Sequence, residues 1–130
     1  MTNRREFLQG SLAASLLTLN PGFAVALDAL GASQSLPLHK VLFDVRDAAS
    51  LRFARAFAGQ GVATQSLPGG NLSQLWRNEL AEVWAHAPSP LAGYTDANVL
   101  FCLEQLGRQH GLRVRHSQDM GRGYVSWLVG

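Results

Sequence analysis

Lys40-Val41-Leu42-Phe43-Asp44-Val45 is an apolar run with charge at its margins, and its reading decides the fold. A strand wet on one side alternates apolar with polar residues, whereas an unbroken run is what a strand covered on both faces of a parallel sheet needs. Directly after it, Phe53, Ala54, Phe57 and Ala58 recur at helical spacing. Asp47 or Ser50 can cap the start of that helix, and Gly59 and Gly61 stop it. One strand and one helix have alternated, the unit from which α/β domains are built.

The alternation repeats downstream. Val62-Ala63-Thr64-Gln65-Ser66-Leu67 reads as a second strand ending at Pro68-Gly69-Gly70, and Asn71 can cap the next helix. There Leu72, Leu75, Trp76, Leu80, Val83 and Trp84 share one stripe, opposite Arg77, Asn78, Glu79 and Glu82. Pro88 and Pro90 end it, and Leu91-Ala92-Gly93-Tyr94 follows as a third strand or a strand-like connection. Thr95 or Asp96 caps a third helix whose inner face is read as Val99, Cys102, Leu103 and Leu106, with Gly111 just past its end.

Leu112-Arg113-Val114-Arg115-His116 alternates apolar with charged residues, which suits a fourth strand nearer the sheet's edge. A loop over Gln118–Gly123, with Gly121-Arg122-Gly123 as a hairpin turn carrying an exposed arginine, leads to Tyr124-Val125-Ser126-Trp127-Leu128-Val129. So short a loop returns this fifth strand only antiparallel. The expected fold is βαβαβαββ, a small three-layer Rossmann-like or flavodoxin-like α/β sandwich. Its sheet is expected to be mostly parallel, with an antiparallel C-terminal edge strand.

Upstream of the domain, Ala29 to Pro37 is rich in Gly, Ala and Ser and reads as a linker. Before it comes a basic start at Arg4-Arg5, an apolar run from Leu12 to Leu19, and the small-residue pattern Ala24-Val25-Ala26. That order is the order of a secretory signal. With Phe7 and Leu8 behind the arginine pair, Asn3-Arg4-Arg5-Glu6-Phe7-Leu8-Gln9 resembles the twin-arginine (Tat) signal, whose pattern is Ser/Thr-Arg-Arg-x-Phe-Leu-Lys. The resemblance implies engagement of the Tat translocation machinery, folding before export, and a bacterial periplasmic destination. It covers about the first fifth of the chain and implies no chemistry. The chain divides on this reading into a signal peptide over 1–26, cleaved after Ala26 or kept as a tether, a linker over 27–38 and one α/β domain over 39–130. The apolar run is too short to cross a bilayer, which takes about 20 residues, so no stable membrane span is expected.

Charge and cysteine content narrow the function classes. Of eleven basic and nine acidic residues, Arg4, Arg5 and Glu6 lie in the signal, leaving nine and eight and a net charge of +1. Arg108, Arg113 and Arg115 cluster loosely without an aromatic platform, a solvated face rather than a nucleic-acid site. Cys102 has no partner within the chain for a disulfide, and no Cys-x-x-Cys-His or cysteine cluster is present. No two of His39, His86, His110 and His116 stand at i, i+3 or i+4, so no metal site is expected. Neither phosphate-loop spacing of glycines occurs, and no cofactor is expected.

In a flavodoxin-like order the first and third strands are neighbours, their connections leave to opposite faces, and a crevice opens beyond their C-terminal ends. Asp44, Arg46, Asp47 and Ser50 would line it from one side, and Tyr94, Thr95, Asp96 and Asn98 from the other. Arg46 and the helix start after Tyr94 favour an anion there. The plainer account has Arg46 paired with Asp44 or Asp47 and has Thr95 and Asp96 as helix caps. Trp127 and Tyr124, on a terminal strand, could instead present an edge to a partner by strand addition. Two functions follow. The first is a non-catalytic accessory or interaction subunit of a larger, possibly redox, periplasmic system. The second is a small-ligand-binding module or small enzyme using the crevice, with Asp44, Asp96 or His116 as its base.

Overall fold

In the computed structural model, which describes residues 38–67 and 71–130, β1 (Lys40–Phe43) buries Val41 and Leu42 completely on opposite faces of the strand. The signal region, almost all of the linker and the Pro68-Gly69-Gly70 turn lie outside the described residues. β1 pairs in parallel with β2 (Thr64–Ser66), Val41 opposite Thr64, and with β3 (Leu91–Asp96), Val41 opposite Ala92. Every residue of β3 from Leu91 to Thr95 is buried, so the stretch short enough to pass for a connection is a full interior strand.

Helices cover both faces. α1 (Ala48–Ala58) packs Phe53 and Phe57 against Val41, Ala92, Tyr94 and Leu128. The opposite face carries a helical stretch over 73–86, made of α2 (Ser73–Leu75), a π-helical turn (Trp76–Leu80) and α3 (Ala81–His86), followed by α4 (Ala97–Arg108). Leu75, Leu80, Trp84, Val99 and Leu103 from these helices meet Leu42, Leu91, Trp127 and Val129. Right-handed crossovers require this division: the step from β1 to β2 goes one way along the sheet, and the later steps go the other. Asp47 accepts from the Ser50 N–H at 2.9 Å and Asp96 from the Asn98 N–H at 2.7 Å, so both cap the helices that follow them.

The remaining strands correct the expected order. β5 (Tyr124–Val129) runs antiparallel between β3 and β4 (Val114–Gly121), giving the order β2-β1-β3-β5-β4 in a mixed sheet rather than the flavodoxin-like β2-β1-β3-β4-β5. The C-terminal strand is therefore not an edge. Composition explains the exchange: Ser126 to Val129 are buried on both faces and need a neighbour on each side, whereas β4 is largely exposed and polar. Two register shifts, between Val114 and His116 and between Asp119 and Gly121, further mark β4 as an edge. Tyr124 and Trp127 consequently offer no strand edge to a partner, and Trp127 is completely buried.

Two smaller expectations also change. The stretch from Gln118 to Gly121 belongs to β4, so Arg122 and Gly123 alone form the connection. Cys102 is exposed, because the buried positions of α4 are Val99, Leu103 and Gly107. At 100° per residue Cys102 lies about 100° from the stripe centred on Leu103, outside the packed face. Among the described residues no helix is long and apolar enough to cross a membrane.

Candidate functional site

The C-terminal ends of β1 and β3 are where an open α/β sheet leaves its crevice, since α1 and α4 depart from them to opposite faces. Here that crevice is occupied by the protein itself. Pairing β5 beside β3 carries the tight β4–β5 turn to the same end of the sheet: Tyr124 lies opposite Asp96, and the Ala97 N–H donates to the Gly123 carbonyl at 3.1 Å. Arg122 and Gly123 both have positive φ, 57° and 82°, the type I′ geometry of a two-residue hairpin.

Two buried carboxylates receive the side chains that this turn delivers. Asp44, just past β1 and 2 % exposed, accepts from Arg46 Nε at 3.1 Å on Oδ1 and from Arg46 Nη2 at 2.9 Å on Oδ2. The Tyr124 hydroxyl donates to the same Oδ2 at 2.9 Å, and the Arg46 N–H donates to Oδ1 at 2.9 Å. Asp47 uses Oδ2 to cap α1 and accepts Arg122 Nη2 on Oδ1. The Arg122 guanidinium also lies 6.0 Å from the centre of the Tyr124 ring, within cation–π range.

Ser50 fastens this loop to the third strand. Its hydroxyl donates to the Tyr94 carbonyl at 2.5 Å and accepts from the Asp44 N–H at 2.8 Å, with no exposure to solvent. The Tyr94 ring packs between Phe53 at 5.7 Å and Tyr124 at 6.3 Å, centre to centre. Asp44, Arg46, Ser50 and Tyr94 thus meet in one network, as their placement on the first and third strands predicts. Thr95 and Asp96 do not join it. Thr95 turns its hydroxyl to the buried indole of Trp127, accepting from Nε1 at 2.9 Å, and Asp96 caps α4.

Arg122 and Tyr124 are the site residues that sequence reading missed. Their signal was present: a hairpin turn with positive φ favours Gly, Asn or Asp, and an arginine held there points to a use for its side chain.

The electrostatics define what the cluster can do. The hydrogen bonds from Arg46, opposed by burial and joined by the one from Tyr124, hold the Asp44 carboxyl at about 2 against an ordinary 3.8. Asp44 is therefore an anion at neutral pH and a very weak base. Tyr124 is pushed up because its hydroxyl donates a hydrogen bond to the Asp44 carboxylate, and Tyr94 is pushed up by burial and then by the charge of Asp47. Neither phenol is an acid or a nucleophile near neutrality. The groups open to solvent are the guanidinium faces, with the Arg46 side chain 60 % and the Arg122 side chain 63 % exposed.

Elsewhere, Glu79 in the π-helical turn takes His39 Nε2 at 2.5 Å and Lys40 Nζ at 2.9 Å, tying that turn to the start of β1. Burial raises the Glu79 pKa, but the bonds from Lys40 and His39 outweigh it and the net shift is downward. His110 packs against the rings of Trp76 and Trp84. Asp119 accepts from the Gly121 N–H at 2.8 Å, and burial depresses the His116 pKa. Among the described residues no group of three or more His, Cys, Asp or Glu comes together as a metal site. The chain matches no family model, no curated protein and no solved structure.

Proposed function

We propose that this chain is a non-catalytic binding subunit of the bacterial periplasm, exported through its twin-arginine-like N-terminus and docking on a larger protein by the C-terminal end of its sheet. The observation that carries this reading is the filled crevice. Where an enzyme of this architecture keeps an open cleft with a base, Arg122 and Tyr124 occupy the space and Asp44 is locked as an anion by Arg46. What remains at that end is a surface, with two anchored guanidinium groups and the exposed apolar side chain of Val45 between Asp44 and Arg46 in the chain. Arginine, tyrosine and an apolar contact are the composition of an interface centre. Export in a folded form, which the resemblance of Arg4, Arg5, Phe7 and Leu8 to a Tat signal implies, suits a protein that travels already assembled.

Two measurements test this. Arg4→Lys with Arg5→Lys should leave the chain in the cytoplasm, and undiminished delivery to the periplasm removes the export half of the proposal. Affinity capture from periplasm should return one stoichiometric partner with the native chain and lose it with Arg46→Ala. A partner retained by Arg46→Ala, or none in stoichiometric amount, removes the docking half.

A further inference from the structure

We infer that the partner surface recognised by this end of the sheet is an acidic segment of protein, whose carboxylates are taken by Arg46 and Arg122. The inference rests on the binding-subunit reading and names the chemistry of its partner.

Charge placement is the first ground. Arg46, Arg52 and Arg122 stand around Asp44 and Asp47, and the two acids are inside: their side chains are 3 % and 9 % exposed against 60 % and 63 % for their arginine partners. Arg52 is exposed on α1, close enough to act on Tyr94, and the helix contains no acidic residue. Solvent therefore meets guanidinium groups while their counter-charges lie beneath. Three arginines against Asp44 and Asp47 sum to +1, and Asp96 opposite Tyr124 offsets that, so the positive face arises from which charges point outward rather than from an excess of them.

Geometry is the second. Arg46 spends Nε and one Nη2 proton on Asp44, which leaves the end pair, Nη1–H and the second Nη2–H. That pair is the two-pronged donor that fits both oxygens of a carboxylate. Arg122 gives Nη2 to Asp47 and also reaches the Tyr94 hydroxyl, while its side chain stays 63 % exposed. Both side chains are already fixed by buried anions, so binding freezes few additional rotamers.

The same features separate a protein partner from other anions. Arg122 and Tyr124 already engage the two carboxylates at the crevice, and exposed Val45 beside Arg46 gives a peptide an apolar contact that phosphate cannot use. An anionic lipid surface attracts basic residues one by one and weakly. Among the described residues no helix is long and apolar enough to cross a membrane, and three arginines alone would give weak attachment.

The test is titration of the full-length chain with a short peptide alternating aspartate and leucine, with its asparagine counterpart, with inorganic phosphate, and with vesicles rich in anionic lipid. Only the aspartate peptide should bind, and more tightly as salt is lowered. Arg46→Gln and Arg122→Asn should each weaken it by roughly tenfold, the value of one charge-assisted hydrogen bond. Arg113→Ala with Arg115→Ala should leave it unchanged, and thermal melts confirm that each variant is folded. Equal binding of phosphate or of vesicles, binding that survives both site variants, or no peptide binding overturns the inference. If periplasmic capture depends on Arg46 while the aspartate peptide is ignored, the binding-subunit reading stands and only the acidic partner falls.

Discussion

A Cβ added to Gly93 would lie 2.2 Å from Cζ2 and 2.5 Å from Cε2 of Trp127, its partner across β3 and β5. The indole cannot retreat, because it is completely buried and its Nε1 donates to Thr95 Oγ1 at 2.9 Å. Gly93→Ala should therefore cost about 3 kcal/mol, the upper range for overpacking a core. Urea denaturation measures it. Combining Gly93→Ala with Trp127→Leu should recover part of the loss, since the two residues share one volume. A near-neutral Gly93→Ala would mean that β5 does not lie beside β3.

Acid should weaken the fold through Asp44. Its folded pKa of about 2 lies below the ordinary 3.8, so the stability it contributes is fully present above pH 3.8 and is lost as pH falls through about 2. The amount is on the order of 1 kcal/mol once solvent screening at the exposed Arg46 is allowed for. Urea midpoints of the native chain and of Asp44→Asn, followed from neutral pH downward, should converge in that window. Parallel curves would remove Asp44 as the titrating group.

These two contacts also show what was legible in the sequence and what was not. Val41, Leu42, Phe53 and Phe57 announce a buried strand and the helix packed on it, because period and composition are local properties of the chain. Asp44, Arg46, Ser50 and Tyr94 could be placed at one end of the sheet because parallel crossovers put the ends of β1 and β3 together. The position of β5 is a non-local choice between two neighbours of β3, and turn length does not decide it. The unbroken apolar run Trp127-Leu128-Val129 did carry the answer, since a strand buried on both faces belongs inside a sheet. Misplacing that strand hid Arg122 and Tyr124 from the site. Cys102 failed for a different reason: the helical stripe was drawn one position too wide.

That exposure has a direct chemical consequence. Cys102 should react with a thiol reagent in the native state as fast as in the presence of denaturant, whereas a core thiol would need unfolding first. Cys102→Ser should change stability by no more than about 0.5 kcal/mol, the ordinary range for an exposed site. Protection of the thiol in the native chain would put it back on the packed face of α4.

Arg122 sits at φ 57°, a left-handed conformation that side chains with a Cβ enter at a cost and that Asn tolerates best. Its side chain is anchored by Asp47, so the position sets backbone preference against a side-chain contact. If the turn's geometry governs stability, urea midpoints should rank Asn at or above Arg, then Ala, with β-branched Val lowest. If Arg122 were there for folding alone, Arg122→Asn would lower the midpoint and leave capture untouched. The expected result is a split: Arg122→Asn folds as well as the native chain but fails to capture the periplasmic partner. A residue kept in a strained turn at no benefit to stability is then explained by what its guanidinium holds. A variant series in which Arg gives the highest midpoint, with capture unaffected by Asn, would assign the residue to the fold instead.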